Sequence, residues 1–219
     1  MYFKSRVEAG QKLAEKIVQK YQGQPCAVVG LSDGGVMVGA QISLKLNCVL
    51  TMLVSDTIDL PRENVALAGI SQEGSITFNP VYSSGQIDEM TGEYRGYIEQ
   101  AKIQKIREMH KAASGSPLIR KNLLRDKVVI LVADGLSSGF LLDIAADYLK
   151  PIHIKGLVVA TPLATVQAVD RMHVLANDVF CLSVVDNFIN TEHYYDVHDI
   201  PSHELVVKTV EQVVANWQG

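Results

Sequence analysis

Short unbroken apolar runs alternate along this chain with segments whose apolar residues recur at helical spacing. The runs Cys26–Leu31, Cys48–Val54, Val128–Val132, Ile152–Ala160 and Asp178–Val185 show little polar alternation, the pattern of strands buried on both faces. Helical stripes lie between them. Phe3 to Tyr21 places Val7, Leu13, Ala14, Ile17, Val18 and Tyr21 on one side, and Gln22-Gly23-Gln24-Pro25 ends it. Val36–Leu46, Phe140–Leu149, Leu163–Val174 and Ser202–Trp217 read the same way. The unit Cys26–Leu31, helix, Cys48–Val54 is a βαβ crossover and therefore predicts a parallel pair. Strands alternating with helices throughout predict a doubly wound, mostly parallel α/β sheet in one domain spanning residues 1–219.

The middle of the chain breaks this rhythm. Ser55 to Asn64 is polar and holds Pro61, the signature of a loop. Ala66–Ser71 and Ser75–Phe78 suit a hairpin turning at Glu73-Gly74. Ile87 to Ala113 is long, charged and helical in pattern, a solvated face, and Ser114-Gly115-Ser116-Pro117 stops it.

Two strand ends carry candidate chemistry. After Val128–Val132 comes Asp134-Gly135-Leu136-Ser137-Ser138-Gly139, and the helical pattern resumes at Phe140. A strand, a turn of small residues and a helix start aim several backbone N–H groups at one point, which favours an anion such as phosphate. The bland alternative is an ordinary strand-to-helix turn. Ser32-Asp33-Gly34-Gly35 is a second turn of this kind. In a parallel sheet the two turns meet at the carboxyl ends of their strands, where open α/β sheets bind ligands.

Charge and composition narrow the choices. A formal net charge of -4, with pI near 5.9, carries no nucleic-acid footprint. Cys26, Cys48 and Cys181 sit in apolar runs and are odd in number, which fits buried free thiols in a reducing compartment. Met1 to Arg6 has no apolar signal core and no segment approaches membrane-spanning length, so the expectation is a cytoplasmic protein without a membrane partner.

The order apolar strand, acid, Gly, small hydroxyl residues, Gly, helix resembles the phosphoribosyl-diphosphate (PRPP) loop of type I phosphoribosyltransferases. The likeness extends over most of the chain. Phe3 to Gly10 with Leu13-Ala14 resembles the opening of an uncharacterised branch of that family, and Leu31 to Val36 falls where the branch has its pyrophosphate loop. Ala66 to Ile70 and Val158 to Pro162 match further segments. Asp186-Asn187-Phe188 with Tyr194-Tyr195-Asp196 is similar to the base-stacking loop of purine-type members. The resemblance implies a sheet with a small hood, formed by the N-terminal helix and the segment from Phe188 to Asp199. It implies Asp134 as the acid on the ribose and Mg²⁺ side, Gly135, Leu136, Ser137, Ser138 and Gly139 around a 5′-phosphate, Asp33, Gly34 and Gly35 at pyrophosphate, and Phe188 on the base. It also implies a small phosphorylated ligand, PRPP or a nucleoside monophosphate, and the pairing of subunits common in this fold, as a homodimer or with an active relative.

Four departures weaken the enzyme reading. Ala133 stands where a first acid is expected, Leu141 replaces a hydroxyl residue, Asp33 takes the place of an Arg facing pyrophosphate, and Asp56 lies where cations are expected. A misplaced unit charge at ~4 Å costs about 4 kcal/mol at an effective dielectric near 20. The expectation is a binder of a 5′-phosphoribosyl ligand with weak or lost transferase activity, and Mg²⁺ matters only if the chain is active. The alternative is an active PRPP-dependent transferase acting on a purine-type base.

Other constellations are weaker. His193, Asp196, His198, Asp199, His203 and Glu204 match no standard metal spacing, so no metal site is expected there. Cys181 has no neighbouring base and reads as a structural thiol. Asp143 and Asp147, four apart, read as the solvent face of their helix. Phe188 divides evenly between base platform and core packing.

Overall fold

The computed structural model describes residues 2–112, 121–197, 201–206 and 210. The main sheet has five strands, β1 (Cys26–Gly30), β2 (Val49–Met52), β6 (Val128–Val132), β7 (Gly156–Thr165) and β8 (Asp178–Val185), in the order β2-β1-β6-β7-β8 and parallel throughout. Every residue of β1 and β6 is buried, as an uninterrupted apolar run demands when helices cover both faces. Alternation within the runs divides the core in two. Ala27, Val29, Val129, Leu131, Leu157 and Val159 face the cluster containing α5 (Phe140–Leu149) and α6 (Val166–Leu175). Val28, Val128, Ile130, Val132, Val158 and Ala160 face α1 (Arg6–Tyr21) and α2 (Asp33–Leu46). Strand order reverses between β1 and β6, so their carboxyl ends open a crevice.

Helix starts follow local chemistry. Ser5 accepts from the N–H of Glu8, Ser32 from that of Gly35 and Thr165 from that of Ala168, each filling orphan donors of a first turn. Asn47 closes α2 in the left-handed region at φ 49°, a conformation asparagine tolerates well.

A second, antiparallel sheet joins β3 (Ser55–Ile58), β4 (Ala68–Ser71) and β5 (Ile76–Phe78). The β4–β5 hairpin turns at Gly74, φ +82°, as its sequence predicts. Its third strand corrects two expectations. The run Cys48–Val54 ends as a strand at Met52, and Ser55–Ile58, expected as loop, pairs with Ala68–Ser71. Burial of Ile58 against Leu67, Ile70 and Ile98 outweighs the polarity of Ser55-Asp56-Thr57. The long charged segment is two helices, α3 (Ser84–Glu93), opened by a Ser83/Gln86 capping box, and α4 (Arg95–Ala112). Leu163 lies in β7 and the next helix starts only at Val166, where Thr165 supplies the cap.

The expected hood forms differently. Helix α1 packs against α2, β7 and β8 as part of the body. Only its lead-in joins the segment after β8: Phe3 bridges Tyr195, Phe3 N–H donates to Tyr194 O and Asp196 N–H donates to Phe3 O. The break at 114–117 and His198 and Asp199 lie outside the described residues. Of the helix expected over 202–217, residues 203–206 are helical, and Val206 and Val210 are buried in the α1–α2 half of the core.

Candidate functional site

The turns after β1 and β6 do meet at one end of the sheet. Ser32 Oγ donates to Asp134 Oδ1 at 2.8 Å, across the crevice. Gly34 and Gly35 form the buried first turn of α2. A Cβ on Gly34 would lie 2.0 Å from Asp134 Oδ2, and one on Gly35 would lie 2.5 Å from Val132 O, so both glycines bring the helix start hard against the β6 turn. Asp33 sits in the same first turn, where the helix dipole favours an acid, and its Oδ1 lies 3.1 Å from His203 Nδ1.

Asp134 is 8% exposed and each of its carboxylate oxygens meets a donor. Arg6, completely buried, donates from Nε to Oδ2 at 2.9 Å and from Nη2 to Glu192 Oε1. The guanidinium lies 4.5 Å from the centre of the Tyr195 ring, whose hydroxyl donates to Asp134 O at 2.7 Å. Burial pulls the Arg6 pKa down, but Asp134 and Glu192 more than offset it and hold the group above its ordinary value. A strap of residues 188–197 thus closes over the turn. Thr191 occupies the space above Gly135, within 2.9 Å of where a Cβ would be.

The rest of the loop divides in two. Leu136 is buried, its N–H donates to Leu163 O and its carbonyl accepts from Thr165 N–H, so this residue extends the sheet. Ser137 and Ser138 are exposed. No acceptor among the described residues takes the N–H groups of Ser137, Ser138 or Gly139. Gly139 is the N-cap of α5 and supplies no side-chain cap; Phe140 N–H reaches Ser138 Oγ only at 3.5 Å. Ser137 and Ser138 thus bring exposed N–H groups, and Gly139 a buried one, to a helix start without a side-chain cap, the chemistry that suits an anion.

Phe188 is half-buried, its ring 5.7 Å from that of Tyr194 in a cluster with Phe3, Leu163 and Tyr195. Asp56 lies in β3 and pairs with Lys105 of α4 at 2.9 Å. Asp143 corrects the sequence reading: it is buried, not on a solvent face, and accepts from Nε and Nη2 of Arg171 on α6. Among the described residues no group of three acidic, His or Cys side chains gathers to hold a metal, and no helix is long and apolar enough to cross a membrane.

Sequence reasoning missed Arg6, Glu192 and Arg171. Arg6 follows Ser5 at a helix start, where it reads as an exposed charge. Its only sequence signal is membership in the Phe3–Gly10 stretch.

An open parallel sheet whose strand order reverses between β1 and β6 defines an α/β protein of the class that binds its ligands at the carboxyl ends of the strands. The phosphoribosyl transferase domain model matches residues 3–197, and the chain belongs to that family. A Mycobacterium tuberculosis protein, named "Putative phosphoribosyl transferase" in strains CDC 1551 / Oshkosh and H37Rv, is 24% identical over 184 residues, 83% of this chain. The chain spans 40% of the length of that relative. The crystal structure of TT1426 from Thermus thermophilus superposes with a TM-score of 0.72 at 24% identity, covering all of both chains.

Proposed function

We propose that this chain binds a 5′-phosphoribosyl ligand by its phosphate at Ser137, Ser138 and Gly139, and turns over PRPP weakly or not at all. The observation that carries this reading is the commitment of Asp134. An acid serving ribose hydroxyls does best unneutralised, yet Oδ2 of Asp134 is already paired with the buried Arg6 guanidinium and Oδ1 accepts from Ser32. Ala133 offers no second carboxylate. The same count argues against Mg²⁺ here, since a hard cation asks for oxygen ligands not already neutralised by a guanidinium. Asp33 and its His203 partner add no arginine for a diphosphate.

The phosphate seat does not depend on these groups. Hydrogen bonds to a charged ligand are each worth about 1.5–3 kcal/mol, and the N–H groups and hydroxyls of Ser137 and Ser138 are exposed beside the Gly139 N–H. A nucleoside monophosphate therefore binds at least as well as PRPP, with no dependence on Mg²⁺. Calorimetric titration of both ligands, each with and without Mg²⁺, tests the binding half. Incubation with PRPP, Mg²⁺ and a panel of purine and pyrimidine bases, followed by pyrophosphate detection, tests the catalytic half. Robust turnover with any base would restore the enzyme reading.

A further inference from the structure

Beside the Ser137–Gly139 loop lies a cleft of about 600 Å³ between α5, α6 and the turn after β5. Its size suits a small metabolite. Its lining includes Ser138 and Gly139 of the loop, the Asp143–Arg171 pair and the apolar Pro80 and Val81.

Asp143 is 7% exposed, and both donors that reach it go to the same oxygen: Arg171 Nε at 2.7 Å and Arg171 Nη2 both meet Oδ1. Its Oδ2 is buried and has no partner among the described residues. A buried carboxylate oxygen left without a donor is costly and calls for one. The Cβ and Cγ of Arg171 pack against Gly139, 2.3 Å from where a Cβ there would lie, so the stem is held while the guanidinium at its far end is not. Asp170 in the same lining leaves the cleft with one more acid than base. On the other side of the loop, Thr191 packs over Gly135, 2.9 Å from where a Cβ there would lie.

We propose that the cleft receives the body of a phosphomonoester carrying an amino group, which completes Asp143 as the guanidinium of Arg171 swings outward. Arg171 is one-third exposed and faces the cleft, so this swing meets solvent. The proposal rests on the phosphate reading of Ser137–Gly139. Gly139 and Asp143 are four residues apart on α5, about 6 Å along the axis, the scale of one sugar ring. The ligand class is therefore an amino sugar phosphate, or a phosphoribosyl compound bearing an amino group close to the ring.

Glucosamine 6-phosphate and glucose 6-phosphate differ in one amino group and serve as probes for calorimetric titration of the full chain, with inorganic phosphate as the reference. The amino compound should bind at least tenfold more tightly, and Asp143→Asn should abolish the difference. Because Asp143→Asn disturbs a buried pair, Val81→Trp provides a second variant that fills the cleft from its apolar lining without touching that pair. It should weaken both sugar phosphates at least tenfold and leave inorganic phosphate unchanged. Equal affinity for the two sugars, or full binding by Val81→Trp, would overturn the cleft assignment while the phosphate seat stands. Failure of inorganic phosphate and both esters to bind would overturn the seat and the cleft together.

Discussion

Replacing Arg6 with methionine tests whether the buried ion pair organises the site. The side chain is fully buried and serves two carboxylates, Asp134 and Glu192, while stacking on Tyr195. Methionine keeps most of the volume and removes the charge, so the loss is electrostatic rather than a cavity. Asp134, 8% exposed, would keep only the Ser32 hydroxyl as a side-chain donor. Breaking a buried pair from one side typically costs about 3–5 kcal/mol, because an uncompensated charge remains. Arg6→Met should therefore lower unfolding free energy by that amount in urea denaturation. The double variant Arg6→Met with Asp134→Asn should recover about half or more of the loss, since the orphan charge is gone. The single variant also frees Asp134 Oδ2, so Mg²⁺ should begin to raise its melting temperature while leaving the parent unaffected. A loss below about 1 kcal/mol, or a double variant less stable than the single, would refute the coupling of Arg6 to Asp134.

Gly34→Ala should destabilise by about 1–3 kcal/mol, because its Cβ would meet Asp134 Oδ2 at 2.0 Å and Arg6 Nε at 2.6 Å. Gly92→Ala, on exposed α3 with nothing within 4 Å, should instead stabilise by about 0.5–1 kcal/mol, and thermal denaturation of the pair reads the contrast. Iodoacetamide at pH 8 should leave the native chain almost unlabelled by mass spectrometry, since burial pushes Cys48 up to about 12 and raises Cys26 and Cys181; unfolding should expose three reactive thiols. Asp178 is held below its ordinary value of 3.8 by hydrogen bonds from Lys20 and Tyr21, so its contribution is complete above that value and is lost as pH falls through the lowered one. Asp178→Asn should flatten the acid limb of a stability–pH curve there and leave its neutral limb unchanged in slope.

The main sheet was legible because burial on both faces writes itself into composition. Val128–Val132 matches its strand to the residue, and Phe140–Leu149 its helix. Errors fall where tertiary packing overrides local chemistry. Ser55–Ile58 carries Ser, Asp and Thr, yet it completes a sheet whose partner strand Ala68–Ser71 needs its other edge paired. Lys105 neutralises Asp56 from α4, a contact distant in sequence that no local pattern announces. Strand β7 continues past Ala160 because Thr161, Leu163, Ala164 and Thr165 pair with β8, and the Thr165 cap postpones the helix.

For the candidate site, position was readable and partnership was not. The acid-to-glycine spacing locates Asp134 and the turn that ends at Gly139, because strand ends and helix starts are fixed by short-range pattern. What Asp134 does depends on Arg6, 128 residues away, and on Glu192, which arrives on the strap. The same holds for Asp143. Its spacing from Asp147 reads as a polar helix face, and only α6 packing beside α5 turns one of the two acids inward onto Arg171. A lone acid on a helix carries no mark of whether a cation will meet it. Two acids that a sequence reading divides into catalytic and solvent-facing thus prove alike, each buried and each met by an arginine. They differ in one atom: Asp134 has partners on both oxygens, whereas the buried Oδ2 of Asp143 has none among the described residues. That difference separates the crevice above β6 from the cleft beside α5, and the two sugar phosphates test which of them a ligand uses.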